Sequence, residues 1–136
     1  MKKFFLMISV LFVFNSCDLD DEPKLDYVLL PVESVEMPAA GFNINEVNFI
    51  KVRYRRPTTC HLYDNFYVET NNHTRTIAIR TIVFEQNNCT PLTDNLLEQY
   101  INFYVTGNGP FLFKFWQGKN EAGEDVFLEY EVPVID

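Results

Sequence analysis

The stretch PFLFKFWQGKNEAGEDVFLEYEV, residues 110–132, decides the fold. Phe111, Phe113 and Phe115 alternate with Leu112, Lys114 and Trp116. Further on, Val126, Leu128, Tyr130 and Val132 alternate with Phe127, Glu129 and Glu131. A period of two puts successive side chains on opposite faces of a strand. Between the runs, GKNEAGE brings Gly118 and Gly123, so the segment reads as a β-hairpin with a loop of about five residues. Aromatic pairs facing each other across such a hairpin contribute up to about 1 kcal/mol each.

The same period recurs upstream. NEVNFIKVRYRR sets Ile50, Val52 and Tyr54 on one face and Lys51, Arg53 and Arg55 on the other, a half-buried strand that Pro57 ends. CHLYDNFYVET and TRTIAIRTIVFEQ are two further strands joined at Asn71-Asn72, the second carrying Ile77, Ile79 and Val83 among β-branched neighbours. DYVLLPVESVEMP is rich in strand formers but divided by Pro31, which fits an edge strand that crosses from one sheet to another. PAAGFN and GNGP read as turns. TDNLLEQYINFYVTG opens with an N-cap signal at Thr93 or Asp94, compatible with a short helical turn, and then alternates through Leu97, Ile101, Phe103 and Val105 as a strand.

About seven strands with turns every 8 to 15 residues indicate an all-β chain. The expected architecture is an antiparallel, immunoglobulin-like β-sandwich, with a small closed β-barrel as the alternative. Trp116 follows both downstream cysteines instead of lying between them, so the immunoglobulin likeness is one of architecture only. The 13 Phe, 7 Tyr and 1 Trp provide ample core material for one domain, placed at 26–136.

The chain begins with Lys2, Lys3 and an apolar run from Phe4 to Phe14 broken only by Ser9. This has the charge and length of a secretory signal over 1–16, and it falls short of the roughly 20 apolar residues that span a bilayer. Phe14, Asn15, Ser16 and Cys17 resemble the lipobox of bacterial lipoproteins, and the acidic run DLDDE after Cys17 resembles the surface-export signal of Bacteroidetes lipoproteins. The resemblance implies a lipid on Cys17, an acidic tether over 17–25, and a location on the outer membrane facing the cell exterior. An ordinary secreted protein cut nearby is the other reading of these residues. Cys60 and Cys89 then form an even pair in an exported chain and are expected to be disulfide-bonded.

Eleven Lys and Arg against 19 Asp and Glu give a net charge of −8, which argues against nucleic acid and anionic lipid surfaces as partners. Catalytic patterns are lacking. Ser34, the sole serine after Cys17, has no nucleophile-elbow context, and Cys60 and His61 as strand neighbours point to opposite faces. His61, Asp64, His73 and Asp94 lack metal-ligand spacing, and no carboxylate pair is singled out for glycosidase chemistry. No enzyme activity, metal or cofactor is therefore expected.

Candidate ligand contacts are the aromatic faces of Trp116, Tyr104 and Tyr63 and the basic side chains of Arg53 and Arg55. The basic row has a plainer reading as charge balance for Glu129 and Glu131. The functional expectation is a surface lipoprotein whose sandwich binds a glycan or an envelope protein. A structural accessory subunit of an envelope complex and a secreted hydrolase are the competing classes. Replacing Cys17→Ser is expected to move the protein from the membrane to the soluble fraction on cell fractionation; a variant that stays fully membrane-bound would refute the lipid anchor.

Overall fold

The computed structural model describes residues 24–84 and 88–136, so Cys17 and the acidic run after it lie outside the described residues. The strands in chain order are β1 (Leu25–Leu30), β2 (Val32–Glu36), β3 (Phe42–Asn43), β4 (Val47–Arg55), β5 (His61–Asn71), β6 (Thr74–Phe84), β7 (Leu96–Tyr104), β8 (Phe111–Lys119), β9 (Asp125–Val132) and β10 (Val134–Ile135). Eight of these run five residues or more, and no helix occurs among the described residues. Strands β1, β5, β6, β8 and β9 form one sheet, β2, β4 and β7 a second, and β3 with β10 a short ribbon. The sheets pack as a β-sandwich and none closes into a barrel.

Strands β4 and β8 follow the alternation in their sequence closely, whereas β6 buries Ile77, Ala78 and Ile79 in succession and Val126 of β9 is exposed instead of sharing the inward face of Leu128. In β4, Ile50, Val52 and Tyr54 are buried while Val47, Phe49 and Arg55 are exposed. In β8, Phe111, Phe113 and Phe115 are buried, and β9 lies against it from Phe111↔Val132 to Trp116↔Phe127. The loop 120–124 closes this hairpin with Gly123 at φ 78, a left-handed value that glycine adopts without strain. Asn72, at φ 52, plays the corresponding part in the two-residue link between β5 and β6.

Pro31 divides one run of sequence between two sheets. Residues before it pair with β6, from Leu25↔Phe84 to Leu30↔Ile79, and residues after it pair with β4, from Val32↔Tyr54 to Glu36↔Lys51. The crossing is held from β8: the Gln117 side-chain amide donates to the carbonyls of Val32 and Glu33 at 3.3 and 3.4 Å. Gly118 lies against the Pro31 ring, where an added Cβ would sit 3.4 Å from Cγ.

Two features depart from local expectation. PAAGFN is more than a turn, because Phe42 in β3 is fully buried and its ring meets Phe103 and Phe113 at centroid distances of 5.1 and 5.3 Å. Gly41 before it has φ 120, and a Cβ there would come within 2.6 Å of the Pro133 carbonyl, so glycine is what lets β3 reach β10. Residues 93–95 form a bend with Asp94 at φ 58 in place of a helical turn. In addition, two pairings are parallel: β6 with β8, and β3 with β10.

The core joins Phe111, Phe113 and Phe115 of one sheet to Ile50, Val52 and Tyr54 of the other. Its buried polar groups are satisfied. Thr81 donates its hydroxyl to the Val28 carbonyl at 2.8 Å, and the Asn48 side chain accepts from the Asn43 amide while donating to the carbonyls of Asn43 and Glu46. The Cys60–Cys89 disulfide spans 29 residues of sequence and ties the start of β5 to the segment ahead of β7. Backbone bonds from Thr59 to Thr90 and from Leu92 to Pro57, at 3.0 and 2.9 Å, run beside it.

Phe113→Ala removes a ring that touches Phe42, Phe103 and Phe115. The expected loss is about 3–5 kcal/mol in urea unfolding, against little change for Val126→Ala on the exposed surface.

Candidate functional site

A cleft forms because β6 is longer than either strand on one of its sides. Along its other side β5 pairs with it from His61↔Val83 to Asn71↔Thr74. On the near side β8 covers Thr74 to Ile77 and β1 covers Ile79 to Phe84, leaving Ala78 between the two. There β1 departs through Pro31 to the second sheet, and the β8–β9 ladder breaks register between Trp116 and Lys119. The notch this leaves opens on the outer face of the five-stranded sheet and encloses about 240 Å³.

Thr76, Ile77 and Ala78 make the floor; Leu29, Tyr67, Trp116 and Phe127 make the walls; Glu69 and Asp125 supply carboxylates. Tyr67 pairs with Ala78 across β5 and β6, and Phe127 pairs with Trp116 across β8 and β9. Tyr67 and Trp116 thus stand two strand spacings apart, about 10 Å, over a floor kept low by a methyl group.

The walls are held by hydrogen bonds at their polar edges. Trp116 Nε1 donates to Asp125 Oδ1 at 3.0 Å, and Lys119 Nζ donates to the same oxygen at 3.0 Å. These two bonds, Trp116 first, keep the Asp125 carboxyl below its ordinary range. The Tyr67 hydroxyl donates to Glu69 Oε1 at 2.5 Å, and that bond raises the phenol's pKa. Lys114 Nζ lies 4.5 Å from the Phe127 ring centroid, so that ring is covered while the Trp116 and Tyr67 faces line the cleft. Beyond Leu29 the apolar strip continues to Tyr27, 67% exposed, over which Arg80 sits at 5.4 Å while bonded to Asp64 at 2.7 Å.

The aromatic candidates read from sequence are spread over the molecule. Trp116 is half-buried in the cleft wall. Tyr63 faces inward at the core rim, its ring 6.3 Å from Tyr54 and 5.8 Å from Phe66. Tyr104, 56% exposed, lies on the outer face of the three-stranded sheet opposite Val47. Tyr67, Glu69, Asp125 and Phe127 were not singled out in the sequence. The pairing of Trp116 with Phe127 depends on the register shift between Trp116 and Lys119, which the period of two does not show.

Arg53 and Arg55 project from β4 on that second face, but their carboxylate partners are nearer than Glu129 and Glu131. Arg53 Nε donates to Glu98 at 2.8 Å and its Nη2 lies 3.6 Å from Glu36, which also meets Lys51 at 3.6 Å. Arg55 Nη2 donates to Glu33 at 3.0 Å, with Asp94 at 3.8 Å. Glu129 instead meets Lys114, at 3.8 Å. The bond from Arg53 holds the Glu98 carboxyl below its usual range. Arg56, next in sequence, has its Nε buried without a hydrogen-bond partner.

Cys60 is closed in its disulfide, and neighbouring His61 has Nδ1 2.8 Å from the Thr58 hydroxyl, with its pKa lowered by burial and then by Arg56. Among the described residues no group of three or more His, Cys, Asp or Glu is placed to hold a metal ion.

No known protein family, curated protein or solved structure matches this chain.

Because Glu98 and Asp125 release protons more readily in the folded chain than at their ordinary values of 4.5 and 3.8, their stabilisation is complete above those values. It is lost as pH falls through the lowered ones. The double variant Glu98→Gln, Asp125→Asn is expected to show a smaller drop in melting temperature than wild type on acidification through this range.

Proposed function

We propose that this protein is a binding module of the bacterial cell surface, anchored through a lipid on Cys17, and that its cleft takes the ring of a neutral sugar. The observation that carries the reading is the pairing of two oriented aromatic walls, Trp116 and Tyr67, with two carboxylates, Glu69 and Asp125, over the small Ala78 floor. Sugar rings present apolar C–H faces to aromatic side chains and hydroxyl donors to carboxylates. The cleft is small beside ordinary ligand sites of about 300–1,000 Å³, which suits one ring or the end of a chain. Its own carboxylates, in a chain of net charge −8, disfavour an anionic ligand.

Asp125 is not set up as the general acid of a glycosidase. Asp125 is engaged twice and held ionised, whereas a glycosidase general acid has its pKa raised. An accessory role in an envelope complex is the second reading, and the open outer edge of β7 is what favours it.

Trp116 is the only tryptophan in the chain, so its fluorescence reports on the cleft directly. Titration with a panel of neutral glycans is expected to change that emission. Tyr67→Ala is expected to weaken binding about tenfold, the effect of losing one aromatic face. Ala78→Leu, which raises the floor, should act in the same direction, and Tyr104→Ala should have no effect. A panel that leaves the emission unchanged, or a response confined to quaternary ammonium compounds, would overturn the sugar reading.

A further inference from the structure

Strand β7 is hydrogen-bonded to β4 on one side, and among the described residues no strand pairs with its other side. Its ladder with β4 runs from Val47↔Tyr104 to Arg55↔Leu96 without a register shift. The devices that protect edge strands are missing from it: LLEQYINFY contains no proline, no lysine and no bulge. The sheet face beside this edge exposes Val47, Phe49, Tyr100 and Tyr104, each between 48% and 60%, beside the ion pairs of Lys51, Arg53 and Glu98.

We infer that β7 pairs antiparallel with β7 of a second copy across a two-fold axis at Tyr100, joining the two three-stranded sheets into one of six strands. Register points to a copy of the same chain. Two copies at net charge −8 repel, and the other edges carry acids as well: Asp125, Glu129 and Glu131 on β9, Asp64 and Glu69 on β5, Glu33 and Glu36 on β2, Asp26 on β1. The single acid of β7, Glu98, is neutralised by Arg53 at 2.8 Å. Edges β9, β5 and β2 also carry register shifts in their ladders, whereas β7 is straight over nine residues and β1 over only six.

With the axis at Tyr100, Leu96 faces Tyr104, Glu98 faces Asn102 and Tyr100 faces its own copy on the outer side. On the inner side Leu97 faces Phe103 and Gln99 faces Ile101. No like charges meet, and all nine residues are used. An axis at Glu98 would set that carboxylate against itself and shorten the overlap. The pairing satisfies backbone groups now left to solvent and brings the exposed Tyr100 rings of the copies side by side. It stands independently of the sugar reading, and it would give each assembly two clefts, a gain for a weak single site.

Sedimentation of the purified protein tests this. Wild type is expected to sediment as a dimer, Tyr100→Lys and Tyr100→Glu each as a monomer, and their equimolar mixture as a dimer again. Tyr100→Cys should form a disulfide-linked dimer under mild oxidation, far more than Leu96→Cys, whose counterpart lies at the other end of the pairing. Trp116→Ala should leave sedimentation unchanged. Wild type that remains monomeric at millimolar concentration, a dimer that survives Tyr100→Lys, or equal cross-linking at positions 96 and 100 would overturn the proposal.

Discussion

One edge of strand β6 is shared by two strands that come from opposite ends of the chain, and much of the molecule follows from that division. β8 takes the first part of the edge and β1 the rest, so neither can extend past Ala78 without displacing the other. The chain after β1 therefore has to leave the sheet, and Pro31, which has no amide to contribute to a ladder, sits where it leaves. Its departure supplies β2 to the second sheet and links the two layers covalently. The Gln117 amide and the close approach at Gly118 hold the crossing from the β8 side.

The cleft is the other consequence of this sharing. A continuous sheet would present a uniformly pleated surface at Ala78, with neighbours filling the space beside it. Here the two flanking strands diverge, and the side chains that would have met instead stand apart. Trp116 is kept from collapsing into the gap by its bond to Asp125, and Tyr67 is fixed by Glu69 on the opposite wall. Both carboxylates thus serve to orient aromatic rings while keeping acceptor capacity for a ligand.

The two outer faces of the sandwich differ in how they handle charge. On the three-stranded sheet the basic row of β4 meets Glu33, Glu36 and Glu98, and what is left exposed is largely aromatic and aliphatic. On the five-stranded sheet the acids of β9 have fewer cations to meet, Glu129 reaching only Lys114. Among the described residues the five-stranded sheet thereby carries more acids than its cations meet.

The sequence by itself determined the eight longer strands, most of the faces they bury, the five-residue loop of the last hairpin, the break at Pro31 and the bond between Cys60 and Cys89. All of these rest on the two-residue period of an extended chain, on turn chemistry or on cysteine number, which are local or compositional. It misassigned Phe42 to a turn and the Arg53 and Arg55 partners to β9, because both depend on which distant segments become neighbours. Trp116 was legible as an outward-facing aromatic, but Tyr67 and Glu69 were not legible as its companions. They meet only because β8 lies parallel beside β6, with β5 on the far side. An alternating run looks the same whether its partner is parallel or antiparallel, near in sequence or far. The choice among partners was made by the packing of the two layers, and the cleft exists only after that choice.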